Sequence, residues 1–193
     1  MNYSSRAIAL TYIRHGETSI VSRIFTEERG LQTFFIKGVR AKKSKRKIVY
    51  FEPLKLLKIS ALFNPKKSLQ YLKDISLWEN FETNPNKNNK TFIAFFIAEI
   101  SSKVLQENEQ NKDLFKFVWE TTRRLYKTEK ADANFTLKYL LLLSKFLGFF
   151  PSKNEQKKPF FNIELGEFSS KNEGEKTCFN LEMSMHLKLL LNN

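Results

Sequence analysis

The sequence predicts an α+β protein, in which a small closed barrel of five β-strands (residues 1–82) is followed by an all-α helical domain (residues 91–193). Three observations lead there. Apolar residues recur with a period of two up to about residue 82 and with the helical period beyond residue 91. The stretch between them, Asn84 to Lys90 (NPNKNNK), is polar, turn-forming and free of apolar residues, which puts a linker at 83–90. Five short strands with tight connections suit a closed barrel better than an open sheet, whose edges would be left exposed.

The first strand is expected over Ser5 to Ile13, which alternates loosely and is rich in β-formers, with a break at Gly16 and Glu17. Thr18 to Phe25 and Leu31 to Val39 are two β-prone runs separated by TEERG, a spacer of hairpin length ending in Gly30. Pro53 opens Leu54 to Phe63, where Leu57, Ile59, Ala61 and Phe63 share one face by period two. After the Asn64-Pro65 turn, Leu69 to Phe81 reads as the fifth strand, with Leu69, Tyr71, Ile75 and Leu77 on one side and Lys73 intruding on it.

Past the linker, Thr91 to Gln106 carries Phe92, Phe96 and Ile100 on one stripe and Ile93, Ile97, Val104 and Leu105 beside it, the pattern of a helix buried on most sides. Asn111 is placed to cap a second helix running to Lys127, with Leu114, Val118 and Leu125 inward. A third helix, from about Asp132 to Leu147, is ended by Gly148 and Pro151. Three such helices are expected to pack on one another. An irregular segment, 152–180, then holds one apolar island, Phe160 to Phe168, and Leu181 to Leu191 can form one more short helix.

Charge is where function enters. The formal net charge is +13, and residues 1–82 hold 16 Lys and Arg against 7 Asp and Glu (+9), whereas residues 83–193 hold 17 against 13 (+4). The third strand empties into Lys37, Arg40, Lys42, Lys43, Lys45, Arg46 and Lys47, seven cations within eleven residues with no carboxylate between them. Such a run repels itself and fits a solvated loop that meets an anionic partner, a polyphosphate chain first of all. The alternative stays open: 25 of the 33 cations are lysine, and Asn, Ile and Phe are also abundant, as AT-rich coding produces without any ligand. Among the aromatics near this loop, Tyr12, Phe34, Phe35, Tyr50 and Tyr71, most belong to a core, and Phe34 and Tyr50 are the favoured candidates for base stacking. Arg123 and Arg124, adjacent on the second helix, can hold a carboxylate tail or serve only solubility.

Catalytic constellations are missing. His15 and His186 have no metal-ligand spacing to another donor, and there is no phosphate-cradling glycine loop, nucleophile elbow or His-Glu-x-x-His run. Glu27, Glu28, Glu107 and Glu109 read as solvated carboxylates. The single cysteine, Cys178, permits neither an intramolecular disulfide nor a four-thiolate zinc site. No catalytic residue, cofactor or metal is expected. The N-terminus lacks a signal-peptide core, and the most apolar segment, Phe135 to Phe150, contains Lys138 and Lys145, so a soluble cytoplasmic protein without a membrane partner is the expectation.

Taken in order, these features resemble the bacterial recombination mediator family RecO. The likeness is carried by Gly16-Glu17, a strand ending Ile24-Phe25-Thr26, the turn closed by Gly30, a strand ending Lys37-Gly38-Val39-Arg40, and a Ser-containing basic loop before Phe51-Glu52-Pro53-Leu54. Later landmarks are Leu147-Gly148-Phe149, Phe161-Asn162-Ile163-Glu164 and Gly166-Glu167-Phe168. The resemblance implies an N-terminal OB-fold and a nucleoid-associated protein that binds single- and double-stranded DNA and anneals complementary strands. It implies action with RecR, contact with the acidic C-terminal tail of the single-strand-binding protein SSB, and help to RecA in replacing SSB. By position it assigns DNA contact to Lys37, Arg40, Lys42 and Lys43; electrostatics extends this to Lys45, Arg46 and Lys47, and the SSB tail falls to Arg123 and Arg124. Some relatives hold zinc with four cysteines, which this chain cannot, and the chain is expected to end before the family's usual C-terminal helices. An RNA-binding, ribosome-associated OB protein and a structural adaptor are the alternatives.

Overall fold

One strand is long enough to serve both edges of the sheet, and that closes the barrel. In the computed structural model, which describes residues 1–41, 48–79, 88–129, 132–152, 155–174 and 176–192, β1 (Asn2–His15) pairs through its first half with β4 (Leu56–Leu62) and through its second half with β2 (Ser19–Thr26), both antiparallel. β3 (Gly30–Ile36) and β5 (Leu69–Leu77) complete the order β1-β2-β3-β5-β4, with β3 and β5 parallel. The bend in β1 falls where Ala9 pairs with Ile24 and Thr11 with Arg23, leaving Leu10 as the extra residue of a bulge. The backbone there is tied to the entry of β4: Leu54 N–H donates to Ala9 O (2.8 Å) and Ala9 N–H to Lys55 O (3.0 Å). Leu54, fully buried, takes φ +58 to make that turn.

Small side chains on β1 and β4 leave room for large ones opposite. Ala7, Ala9 and Ala61 share the barrel interior with Ile20, Ile24, Phe34, Ile36, Phe51, Leu57, Ile59, Leu72 and Ile75. A second bulge corrects the expected face of β5. Ala61 pairs with Leu72 and Ser60 with Asp74, so Lys73 is the unpaired extra residue and the phase of the strand shifts there. Gln70, Leu72 and Ile75 therefore point inward, while Leu69 (41% exposed) and Tyr71 (50% exposed) point out. The intrusion of Lys73 on the apolar face was the trace of this bulge. A 3-10 turn, Ile48–Phe51, precedes β4, and its Phe51 plugs the interior.

Two helices pack on the barrel's outer wall. α1 (Asn88–Val104) lies along β1, its buried residues Ala94, Ile97, Ala98, Ser101 and Ser102 being small except for Ile97, with Thr11 Oγ1 3.3 Å from Ser102 Oγ. This corrects the expectation of a helix buried on most sides, because close approach of small residues turns Phe92 (72% exposed) and Phe95 outward. α2 (Lys112–Lys127) is capped as expected, Asn111 Oδ1 accepting from Leu114 N–H (2.9 Å), and packs Phe115 against Phe25 of β2, ring centroids 5.3 Å apart. The connection between these helices runs beside β3 where β5 leaves its edge open. Asn108 N–H donates to Leu31 O, Gln32 Nε2 to Asn108 Oδ1, and Thr33 Oγ1 to Glu107 Oε1. Gly30, at φ +64, lets the Glu109 backbone come so close that a Cβ would collide with its carbonyl oxygen.

The chain accordingly divides into two compact units at 133/134, whereas the sequence places the division at 83–90, of which residues 83–87 lie outside the described residues. α1 packs against β1 and α2 against Phe25 of β2, so both fall within the first unit.

The second unit, Asn134–Asn193, contains α3 (Phe135–Phe146), a hairpin of β6 (Phe160–Asn162) and β7 (Glu167–Ser169), and α4 (Leu181–Asn192). α3 ends as Gly148 predicts: at φ +83 it lets Phe149 N–H reach back to Ser144 O (3.1 Å). The apolar island of the irregular segment is the hairpin itself. Its Phe161 packs on Phe168 and Phe179, centroids 5.1 and 5.6 Å away, and with Leu191 forms the core of the unit. Cys178 is buried, and no group of three His, Cys, Asp or Glu side chains able to hold a metal ion occurs among the described residues. With one cysteine in the sequence, a four-thiolate zinc site cannot form within this chain.

Candidate nucleic-acid interface

Two outward rows of side chains ring the barrel, and they differ in what covers them. In the first, Leu56, Ile8, Phe25 and Leu31 are partners across β4, β1, β2 and β3. All four are at most 1% exposed, beneath the wall carrying Phe115 and Trp119 of α2. In the second, Ile13, Val21, Phe35, Tyr71 and Leu62 are partners in the same way across β1, β2, β3, β5 and β4. Here Ile13 is 67%, Tyr71 50% and Leu62 40% exposed.

The uncovered row lies at the end of the barrel where the basic run begins. Lys37 follows β3 directly, two residues after Phe35, and is exposed. Arg40 is exposed too: its N–H donates to Thr18 O (3.0 Å) and its Nη1 to Gly16 O (3.2 Å), which pins it against the β1–β2 turn beside Arg14 and His15. Glu17 is the one carboxylate in that turn, and among the described residues no ion pair engages Lys37 or Arg40. Lys42, Lys43, Lys45, Arg46 and Lys47 lie outside the described residues. The His15 ring meets Phe35 edge-on at 5.2 Å, and the Lys67 ammonium stands 5.7 Å from the Tyr71 ring centroid.

Of the favoured stacking pair, this geometry removes Phe34. Phe34 is fully buried in the barrel, with no ring face to offer, and Tyr50 is half-buried against the same core. Of the five aromatics near the loop, Phe35 and Tyr71 are the two that face out. A signal for this was present in the sequence: Phe35 shares its strand parity with Thr33 and Lys37, whereas Phe34 shares it with Ile36.

Two of the four carboxylates expected to be solvated, Glu27 and Glu107, are fasteners. Glu27 takes two hydrogen bonds from Arg6, whose guanidinium holds its carboxyl below the usual carboxylate range, and Glu107 takes the bond from Thr33 and an ion pair from Arg23 (3.8 Å). Arg123 is likewise occupied. Its Nε and Nη2 donate to the two oxygens of Glu79 (3.0 and 2.9 Å), just after β5, so only Arg124 of that pair presents an exposed guanidinium. Burial pushes the Tyr126 hydroxyl up to about 12, beside the Pro53 carbonyl that accepts its hydrogen bond.

Comparison with known proteins gives the family. The chain matches the family model of the recombination protein O N-terminal region over residues 1–81 and that of its C-terminal region over residues 86–189. The chain belongs to the RecO family. Among relatives, the DNA repair protein RecO of Flavobacterium psychrophilum is 34% identical over 84% of this chain and 68% of its own length. That of Flavobacterium johnsoniae is 32% identical over 85% and 69%, and that of Phocaeicola vulgatus 31% identical over 78% and 63%. The chain thus spans about two thirds of the length of these RecO proteins. The first match ends at residue 81, close to the end of the described barrel, and the RecO family is one of recombination proteins rather than enzymes. No helix among the described residues is long and apolar enough to cross a membrane.

Proposed function

We propose that this chain acts in DNA repair and homologous recombination by gripping polynucleotide backbones with the basic end of its barrel. The observation that carries this reading is the coincidence of RecO family membership with a seven-cation run whose first members, Lys37 and Arg40, are exposed and held by no ion pair among the described residues. Phosphate contacts of this kind position a strand without reading its sequence. Screening of two backbones by one cationic surface lowers their mutual repulsion, which favours annealing of complementary strands. Delivery to the right DNA, loading of RecA on SSB-coated strands and cooperation with RecR are the further roles in this proposal, with exposed Arg124 as the candidate contact for an acidic SSB tail.

The test is charge reversal of Arg40, Lys42 and Lys43 together. Binding to single- and double-stranded DNA of any sequence weakens, and the slope of log affinity against log salt falls by about 0.7 to 0.9 for each phosphate no longer neutralised. Unchanged affinity and slope would remove the loop from the interface. Annealing of SSB-coated oligonucleotides, with and without the SSB acidic tail, reports on the partner contacts. Competition between matched DNA and RNA strands separates this reading from an RNA-binding one.

A further inference from the structure

The basic run starts from a root that is built into the barrel. Gly38, at φ +67, turns the chain out of β3, and Ala41 N–H closes that turn on Gly38 O (3.1 Å). Between the exposed Lys37 and Arg40, Val39 is 3% exposed and belongs to the barrel core. Arg40 then takes hold of the β1–β2 turn twice. Its backbone N–H donates to Thr18 O (3.0 Å) and its Nη1 to Gly16 O (3.2 Å), so one residue holds the carbonyls on either side of Glu17.

Both acceptors are neutral carbonyls, so these bonds orient the guanidinium without cancelling its charge. A lysine could not replace it, because an ammonium on a flexible stem lacks the planar fork. In the sequence Lys37 and Arg40 are two equivalent charges; in the structure only Arg40 is tied to another turn. A run of like charges repels itself, and ordering it on a ligand costs binding free energy. Part of that cost is removed when the root of the run is already fixed in the free protein. From this geometry we infer that Arg40 is a positioning residue: it locks the root of the basic run to the β1–β2 turn, so that Lys37 and the cations after it meet a DNA backbone from an ordered start. The inference rests on the DNA-binding reading above. It gives Arg40 a duty that charge alone does not supply.

The deciding variant is Arg40→Lys in the full chain, which keeps the charge and removes the fork. Without DNA, amide hydrogen exchange at positions 40 and 41 is expected to become roughly 2- to 10-fold faster. Affinity for a labelled oligothymidine at fixed salt falls roughly 3- to 10-fold, while the slope of log affinity against log salt stays at the parental value because no charge has been lost. Lys37→Ala does the reverse, lowering the slope and leaving exchange at 40 and 41 as it was. Unchanged exchange in Arg40→Lys makes Arg40 a phosphate contact only, and faster exchange at parental affinity makes it a fold contact only; either result overturns the inference. If Lys37→Ala and reversal of Lys42 and Lys43 leave affinity and slope untouched, the DNA-binding reading fails and takes the inference with it. If those variants weaken binding and Arg40→Lys does not, the inference alone fails.

Discussion

The guanidinium of Arg6 donates from Nε and Nη2 to both carboxylate oxygens of Glu27 while its centre lies 5.1 Å from the Trp119 ring. Phe115 and Trp78 stand around it at 5.8 and 5.9 Å, so one side chain of β1 joins the β2–β3 turn, the end of β5 and α2. Arg6→Lys keeps the charge but loses the planar fork that serves the carboxylate and the rings together. Because the pair is partly exposed, the expected cost of that change is about 1–2 kcal/mol, read as a lower midpoint in denaturant.

Acid should find the same contact. The Arg6 hydrogen bonds lower the Glu27 carboxyl in the folded state, so the unfolded chain takes up its proton at higher pH than the folded one. The stability this contributes is fully present above the ordinary glutamate value, about 4.3, and is lost as pH falls through the lower folded value. Thermal midpoints measured from about pH 6 to pH 3 should fall more gently for Glu27→Gln than for the parent, whose curve carries this extra loss.

Gly30 and Gly16 share a left-handed backbone but not a neighbourhood. An added Cβ at Gly16, φ +59, meets nothing, whereas at Gly30 it runs into the Glu109 carbonyl. Gly16→Ala is therefore expected to cost about 1 kcal/mol of backbone strain. Gly30→Ala should cost about 3 kcal/mol or more, since the connection between α1 and α2 must move off β3. Equal melting points for the two variants would deny the close approach.

The strands, turns and helices that these contacts join were legible because local rules set them. Asn111 caps α2, Gly148 ends α3 and Gly30 closes the hairpin between β2 and β3, each through residues adjacent in the chain. What the sequence could not show was decided across the barrel. The bulge at Lys73 is a mismatch between two strands, invisible in either alone, and it turned Leu69 and Tyr71 outward. The burial of α1 on one side only depends on how closely Ala94 and Ala98 approach β1. For the site, the basic run could be read directly, while the choice between Phe34 and Phe35 hung on strand parity.

Those two neighbours should therefore fail in different ways when truncated. Phe34 fills the barrel among Ile20, Ile36 and Leu57, so Phe34→Ala leaves a cavity in a small core and is expected to cost about 3–5 kcal/mol. Phe35 is partly solvated and touches His15 edge-on, so Phe35→Ala should cost less than half as much. Urea denaturation of both variants measures this, and a larger loss at Phe35 would place the wrong ring inside.

Arg123 and Arg124 divide in the same manner. Arg123 already holds Glu79 through two hydrogen bonds, fastening the end of β5 to α2, and its guanidinium lowers the Glu79 carboxyl. Arg123→Glu sets two carboxylates against each other and should lower the melting temperature, most at low salt, where the repulsion is least screened. Arg124, exposed on the same helix, has no such duty among the described residues. Its reversal should leave the melting temperature within a degree or so of the parent while weakening retention of an acidic peptide that copies an SSB tail. Calorimetry at two salt concentrations, paired with fluorescence anisotropy of the labelled peptide, separates the two arginines. Peptide affinity that survives Arg124→Glu would move the tail-binding surface off this helix.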